Sequence, residues 1–268
     1  MELSLDTDRL AAIRNDLKRW LLLPPCSRKD LQSLIGTLSF AAKVVPAGRS
    51  FLRRMLDTLA VADRTNARTV HLSDDFRADL RWWHRFSAEW NGRSVIPTPF
   101  WSNPAFKPPN AQWAITDDLY TDACLDGYGA VFGKHWTHGR WTHAQRVAAQ
   151  RAQTLSMPYL EMLAIALALA TWAPLLSGRR LTVRSDAKSA VEAFRTGTSK
   201  DAGLMGLIRP LLFIAATHHF AIRIEHISGS DNDCADALSR NEITTFVKLS
   251  PASDFSPTPT GVLPTPDW

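Results

Sequence analysis

Glu161 is the lone charged residue in the run Pro158-Tyr-Leu-Glu-Met-Leu-Ala-Ile-Ala-Leu-Ala-Leu-Ala-Thr-Trp172. A carboxylate taken out of water without a partner costs several kcal/mol or takes up a proton, so something positive must compensate it. Three further acids, Asp122, Asp186 and Asp236, stand where ends of strands and starts of helices should meet, the usual place for an α/β site. Four carboxylates converging there would hold a divalent cation, which points to metal-assisted chemistry on a phosphate. Singly, two of them have plainer explanations: Asp186 as a helix N-cap, and Asp236 as a surface residue one helical turn after Asn232.

The elements that would carry these acids follow from period and punctuation. Trp113 to Ala123, Tyr128 to Phe132 and Lys134 to Trp141 read as an antiparallel meander with a turn at Leu125-Asp126-Gly127. Next come the apolar helix bearing Glu161, a strand over 181–185, a helix over 187–195 and a helix around 202–217. A strand over 220–227 and a last helix from about Asp231 to Arg240 complete the order. Strands followed by alternating helix and strand predict an α/β domain with a mixed five-stranded sheet flanked by helices. The run from Tyr159 to Leu176 approaches membrane-spanning length, but a buried core helix explains the same residues.

Ahead of this domain the sequence reads as helical. Leu10, Ile13, Leu17 and Trp20 form one stripe, and Ser27-Arg-Lys-Asp30 resembles a capping box before Leu31, Leu34, Ile35 and Leu38. Helices are also expected after Pro46 and from Ser73, the latter with Phe76, Leu80, Trp83, Phe86 and Trp90 at helical spacing. Prolines crowd the stretch 97–112, which reads as a linker, and 246–268 reads as a disordered Pro/Ser/Thr-rich tail. The expected organisation is a helical segment over 1–96, a linker over 97–112, an α/β domain over 113–245 and the tail.

Composition narrows the class of function. The 268 residues are 45% hydrophobic and 21% charged, enough for one sizeable core or two smaller ones. Of 31 basic and 26 acidic residues, 16 and 11 lie in the first 100, leaving 15 of each in the rest, so the net charge of +5 belongs to the helical segment. Arg49, Arg53 and Arg54 are candidates for gripping a phosphate backbone, since guanidinium forks suit phosphate, although an exposed arginine is usually only solvated. Three widely spaced cysteines show no zinc or disulfide pattern. The opening Met-Glu-Leu-Ser-Leu-Asp has no basic and then apolar stretch. An intracellular location, cytoplasmic or nuclear, is therefore expected.

Four stretches together carry a resemblance: Thr121-Asp122-Ala-Cys-Leu-Asp-Gly-Tyr-Gly-Ala130, Tyr159-Leu-Glu161-Met-Leu-Ala164, Arg184-Ser-Asp186-Ala-Lys-Ser-Ala-Val191 and Asn232-Asp-Cys-Ala-Asp236-Ala-Leu-Ser-Arg240. They resemble the successive motifs of the ribonuclease H domain in retroelement reverse transcriptases. Leu31-Gln-Ser-Leu-Ile-Gly-Thr-Leu-Ser-Phe40, Pro46-Ala-Gly-Arg49 and Leu80-Arg-Trp-Trp83 resemble the thumb and connection of elements of the tyrosine-recombinase (DIRS-like) type. The fingers and palm have no counterpart here, and Asp117-Asp118 is not a polymerase hairpin, so DNA synthesis by this chain alone is not expected.

The resemblance implies hydrolysis of the RNA strand of an RNA–DNA hybrid with two Mg²⁺ ions roughly 4 Å apart, Mn²⁺ being a possible substitute. Asp122 would bridge the ions, Glu161 and Asp186 would hold the one nearer the leaving group, and Asp236 the one carrying the attacking water. His226, ten residues before Asp236, matches the place of a mobile histidine in many ribonucleases H, and imidazole titrates in the useful range. Thr121, Ser185, Ser189 and Asn232 are polar candidates for contacting the hybrid, whose shape rather than sequence would be read. A palm and fingers portion of the same or another chain is an implied partner. The alternatives are a hybrid-binding scaffold that has lost activity, or another nuclease of the same fold.

Overall fold

In the computed structural model of the chain the described residues are 2–22, 25–45, 47–88, 91, 93 and 94, 118–151, 157–197, 199 and 201–264. The chain divides into two compact units between Thr98 and Pro99. That division falls inside the stretch 97–112 read as a linker, which lies outside the described residues, as do Trp90, 113–117 at the start of the predicted first strand, and Asp117.

The first unit is built on α1 (Thr7–Leu22), α2 (Arg28–Ala41), α3 (Arg53–Arg64) and α4 (Asp74–Phe86). Their starts are chemically marked. The Ser27 hydroxyl accepts from the Asp30 N–H at 3.1 Å and donates to its carboxylate at 2.6 Å, and the Ser73 hydroxyl accepts from the Phe76 N–H at 3.1 Å. Each such cap satisfies a donor the helix cannot. The apolar stripes meet in a core of Leu17, Leu31, Leu38, Met55, Phe76 and Leu80, with Phe51 stacked on Trp82 at 3.9 Å. The unit is not helical throughout: Cys26–Ser27 pairs with Thr69–Val70, and Glu2–Leu3 with Arg93–Ser94, in two-residue antiparallel ladders. Runs that short carry no readable alternation.

The second unit holds β1 (Leu119–Ala123), β2 (Gly127–Phe132), β3 (His135–Arg140), α5 (His143–Arg151), α6 (Met157–Trp172), β4 (Arg180–Ser185), α7 (Lys188–Thr196), α8 (Ala202–Thr217), β5 (Ala221–His226), α9 (Asp233–Ser239) and α10 (Ile243–Leu249). The strands form one mixed sheet in the order β3-β2-β1-β4-β5. The meander is antiparallel, and β1–β4 and β4–β5 are parallel, as the crossover helices require. Helix α6 is buried nearly all round and packs on α8 and β1, which accounts for its composition. Among the described residues its extension Met157–Leu175 is long and apolar enough to cross a membrane, but 67% of that window is buried in the fold.

Two expectations need correction. Helix α5 comes without a sequence signal, because its apolar residues are too few to mark a stripe. The domain also does not end at 245, and residues 246–264 are not a disordered tail. Phe246 on α10 is fully buried among Val131, Trp136, Ala237 and Leu238. Beyond it the chain runs along β3: the Asp254 N–H donates to the Lys134 carbonyl at 2.9 Å and the Thr258 N–H to the Trp136 carbonyl at 2.7 Å. These two bonds hold the segment against the outer edge of the sheet without adding a strand to it. Thr260 bonds both Tyr128 (2.9 Å) and Thr137 (2.8 Å), and the Gly261 N–H donates to the Thr171 hydroxyl on α6 at 2.8 Å. A Cβ on Gly261 would lie 2.5 Å from the Ala170 backbone, so only glycine lets the segment rest on that helix. Proline-rich composition signals the absence of helix; it does not exclude an irregular segment bonded to the edge of a sheet.

Candidate metal centre

Three of the four predicted acids come together. Asp122 near the end of β1, Glu161 in the second turn of α6 and Asp186 just after β4 each present an oxygen within 4.8 Å of the other two. The adjacent parallel strands β1 and β4 bring two of them side by side, and α6, packed on β1, delivers the third. Asp122 and Glu161 are each only 5% exposed. Asp186 does not cap α7, whose N-cap is Ala187 without a side-chain hydrogen bond.

The electrostatics are those of uncompensated acids. Burial pushes Glu161 up to about 9, the charges of Asp122 and Asp186 add to the effect, and the Ala123 backbone N–H offsets part of it. Burial likewise raises Asp122 to about 6, opposed by a hydrogen bond from Ser239 and reinforced by Asp186 and Asp236. Among the described residues no Lys or Arg forms an ion pair with any of the three, and Glu161 Oε2 has no hydrogen-bond partner there. An all-oxygen, mutually repelling donor set with an orphaned buried atom fits a hard divalent cation such as Mg²⁺ and fits zinc poorly.

Asp236 is placed differently. It lies on α9, close enough for its charge to raise Asp122, but outside the three-acid cluster, and its carboxylate is bonded at 2.8 Å by Arg240 one turn on. Helix α9 reaches this position because Gly129, opposite Asp122 in the ladder, has no side chain; a Cβ there would lie 2.4 Å from Leu238 and 2.5 Å from the Ala235 carbonyl. The buried Asn232 amide donates to the Thr121 carbonyl at 3.0 Å and pins the start of α9 to β1.

Thr121, Ser185 and Asn232 are 0%, 0% and 1% exposed; the Ser185 hydroxyl accepts from the Ala187 N–H, while the Thr121 hydroxyl and the Asn232 amide oxygen have no hydrogen-bond partner among the described residues. Ser189 is exposed on α7. His226 is exposed at the end of β5, in register with Ser185, the residue before Asp186. In the first unit Arg53 is paired with Asp57 at 2.9 Å and Arg54 with buried Asp79 at 3.2 Å, so their guanidiniums are engaged within the fold, while Arg49 is exposed. Two residues with no expected role stand at the site: Ser239 bonds Asp122, and Arg240 holds Asp236. The four-residue step from Asp236 to Arg240 was a readable signal for the second.

Residues 116–215 match the family model described as the RNase H-like domain found in reverse transcriptase. The mixed sheet with its flanking helices is accordingly an RNase H-like domain preceded by helices. The match includes Asp122, Glu161 and Asp186 and stops short of His226 and Asp236. Among solved structures the chain is similar to a foamy viral protease-reverse transcriptase (dRH) in complex with ds DNA, at 12% identity and a TM-score of 0.30. That alignment covers 84% of this chain and 35% of the viral one, so the chain spans about a third of its length. No curated protein matches the chain.

Proposed function

We propose that the chain is a metal-dependent endonuclease that hydrolyses the RNA strand of RNA–DNA hybrids, the ribonuclease H part of a reverse transcriptase from a retroelement of the tyrosine-recombinase type. The observation that carries this reading is the trio Asp122, Glu161 and Asp186, oxygens within 4.8 Å of one another in an RNase H-like domain and without a basic partner. Asp122, Glu161 and Asp186 would hold one Mg²⁺ ion, and Asp122 with Asp236 a second. When bound, the ions supply Lewis-acid polarisation of the phosphate and a bound water of lowered pKa.

The chain's own residues do the rest. The fixed ends of β1 and β4 set the spacing of Asp122 and Asp186, and the buried turn of α6 keeps water from Glu161, which strengthens every charge interaction at the centre. His226, exposed and in register with Ser185, would take or give a proton on the solvent side. The helical segment over 1–96 is its thumb and connection, with Arg49 an exposed arginine available to a phosphate backbone.

The test is cleavage of end-labelled RNA–DNA hybrid, double-stranded RNA and double-stranded DNA by the full chain and by Asp122→Asn, with Mg²⁺, Mn²⁺ or EDTA. Hybrid-selective, metal-dependent cleavage lost in the variant is expected. Cleavage that survives the substitution refutes the site. A silent hybrid-binding protein is the competing reading, favoured by the engagement of Asp236 with Arg240; it requires hybrid binding without any cut.

A further inference from the structure

We propose that Arg240 is a positioning residue that holds Asp236 apart from the other three acids until a second cation displaces it, so that the fourth carboxylate joins the centre last. The inference rests on the metal-centre reading above. Arg240 Nε bonds Asp236 Oδ1 at 2.8 Å, while Asp236 stays outside the cluster whose other members approach within 4.8 Å. The same guanidinium is felt by Asp122, so it is the positive charge that the acidic site meets on this flank.

Magnitude decides why this pair can switch. The Arg240 and Asp236 side chains are 58% and 42% exposed, and exposed pairs one turn apart are weak, so a divalent ion outcompetes the guanidinium. A buried pair could not be traded in this way. The displaced side chain also has somewhere to go. Arg240 borders a cavity of about 570 Å³ lined by Cys124, Asp126, Gly139, Arg140 and Asn241, directly beside the end of β1. The first cation thus meets three acids free of basic partners, and the second must first break an ion pair.

The experiment is a Mn²⁺ titration of the full-length, metal-stripped chain, with free Mn²⁺ read by electron paramagnetic resonance. Wild type is compared with Arg240→Gln, Arg240→Lys and Arg195→Gln. Arg195 forms a somewhat more exposed pair with Glu192 on α7 and controls for loss of one positive charge. In Arg240→Gln the second ion should bind about fivefold more tightly, the scale of one exposed pair, with the first constant unmoved. Arg240→Lys should stay near wild type and Arg195→Gln at wild type. The proposal is overturned if the second constant does not move, if Lys behaves as Gln does, or if Arg195→Gln shifts it equally. A wild type that binds no Mn²⁺ brings down the metal centre and this inference together; one that binds Mn²⁺ with an unmoved second constant brings down this inference alone.

Discussion

Each unit buries acid, and the two treat it in opposite ways. In the helical unit Asp79 is fully buried and answered by Arg54 at 3.2 Å, with Arg54 reaching on to Asp75 at 3.6 Å. In the α/β unit Asp122 and Glu161 are nearly as buried, yet their neighbours are other acids, and their carboxyls are driven up to about 6 and about 9. An acid matched by its own chain serves the fold. An acid left to repel its neighbours destabilises the fold and is retained for what it can bind.

Substitutions can break this contrast. The largest effect is expected for Asp122→Asn or Glu161→Gln on hybrid cleavage, where loss of a ligand should cost several kcal/mol of transition-state stabilisation, about a thousandfold in single-turnover rate. Arg54→Met should remove the guanidinium from buried Asp79 and lower stability by about 3 kcal/mol, read by thermal or urea unfolding. Adding Asp79→Asn to Arg54→Met should recover much of that loss, which separates a matched pair from mere packing.

The next effect concerns pH. Glu161 has a folded value of about 9 against an ordinary 4.5, and a raised carboxyl favours the fold only while it is protonated. Its contribution is therefore complete below about pH 4.5 and disappears as pH rises to about 9, with Asp122 adding to the loss between about 4 and 6. The metal-stripped chain should melt at lower temperature at pH 8 than at pH 5, and Mg²⁺ should restore it. Glu161→Gln should flatten the slope and stabilise the stripped chain at pH 8 by about 1–3 kcal/mol, the cost of one unsatisfied buried group. The smallest effect is for Arg53→Gln, whose pair with Asp57 is 36% and 55% exposed; it should change stability by less than about 1 kcal/mol.

The acids of the cluster were legible because each violates a local pattern: Glu161 interrupts an apolar run, Asp122 closes a strand and Asp186 follows one. The mixed five-stranded sheet was legible too, since a meander followed by alternating helix and strand leaves few topologies. What stayed hidden were partners far apart in sequence. Arg54 and Asp79 are 25 residues apart, so a basic stripe that looked suited to phosphate is partly consumed inside the fold. The Asn232 amide bonds the Thr121 carbonyl across 111 residues, a link that neither stretch announces. The predicted disordered tail failed for the same reason, because its partners on β3 lie more than a hundred residues upstream.

That C-terminal stretch has a consequence for how molecules of this protein meet. A bare outermost strand is a template for a strand from another copy, and here the chain's own residues 254–258 already take up the outward carbonyls of Lys134 and Trp136. Truncation after Leu249 should strip that shield, and light scattering at rising concentration should then show edge-to-edge association absent from the full chain. A shared centre in the sheet would survive such trimming while solubility would not, so a shortened version could look inactive merely by precipitating.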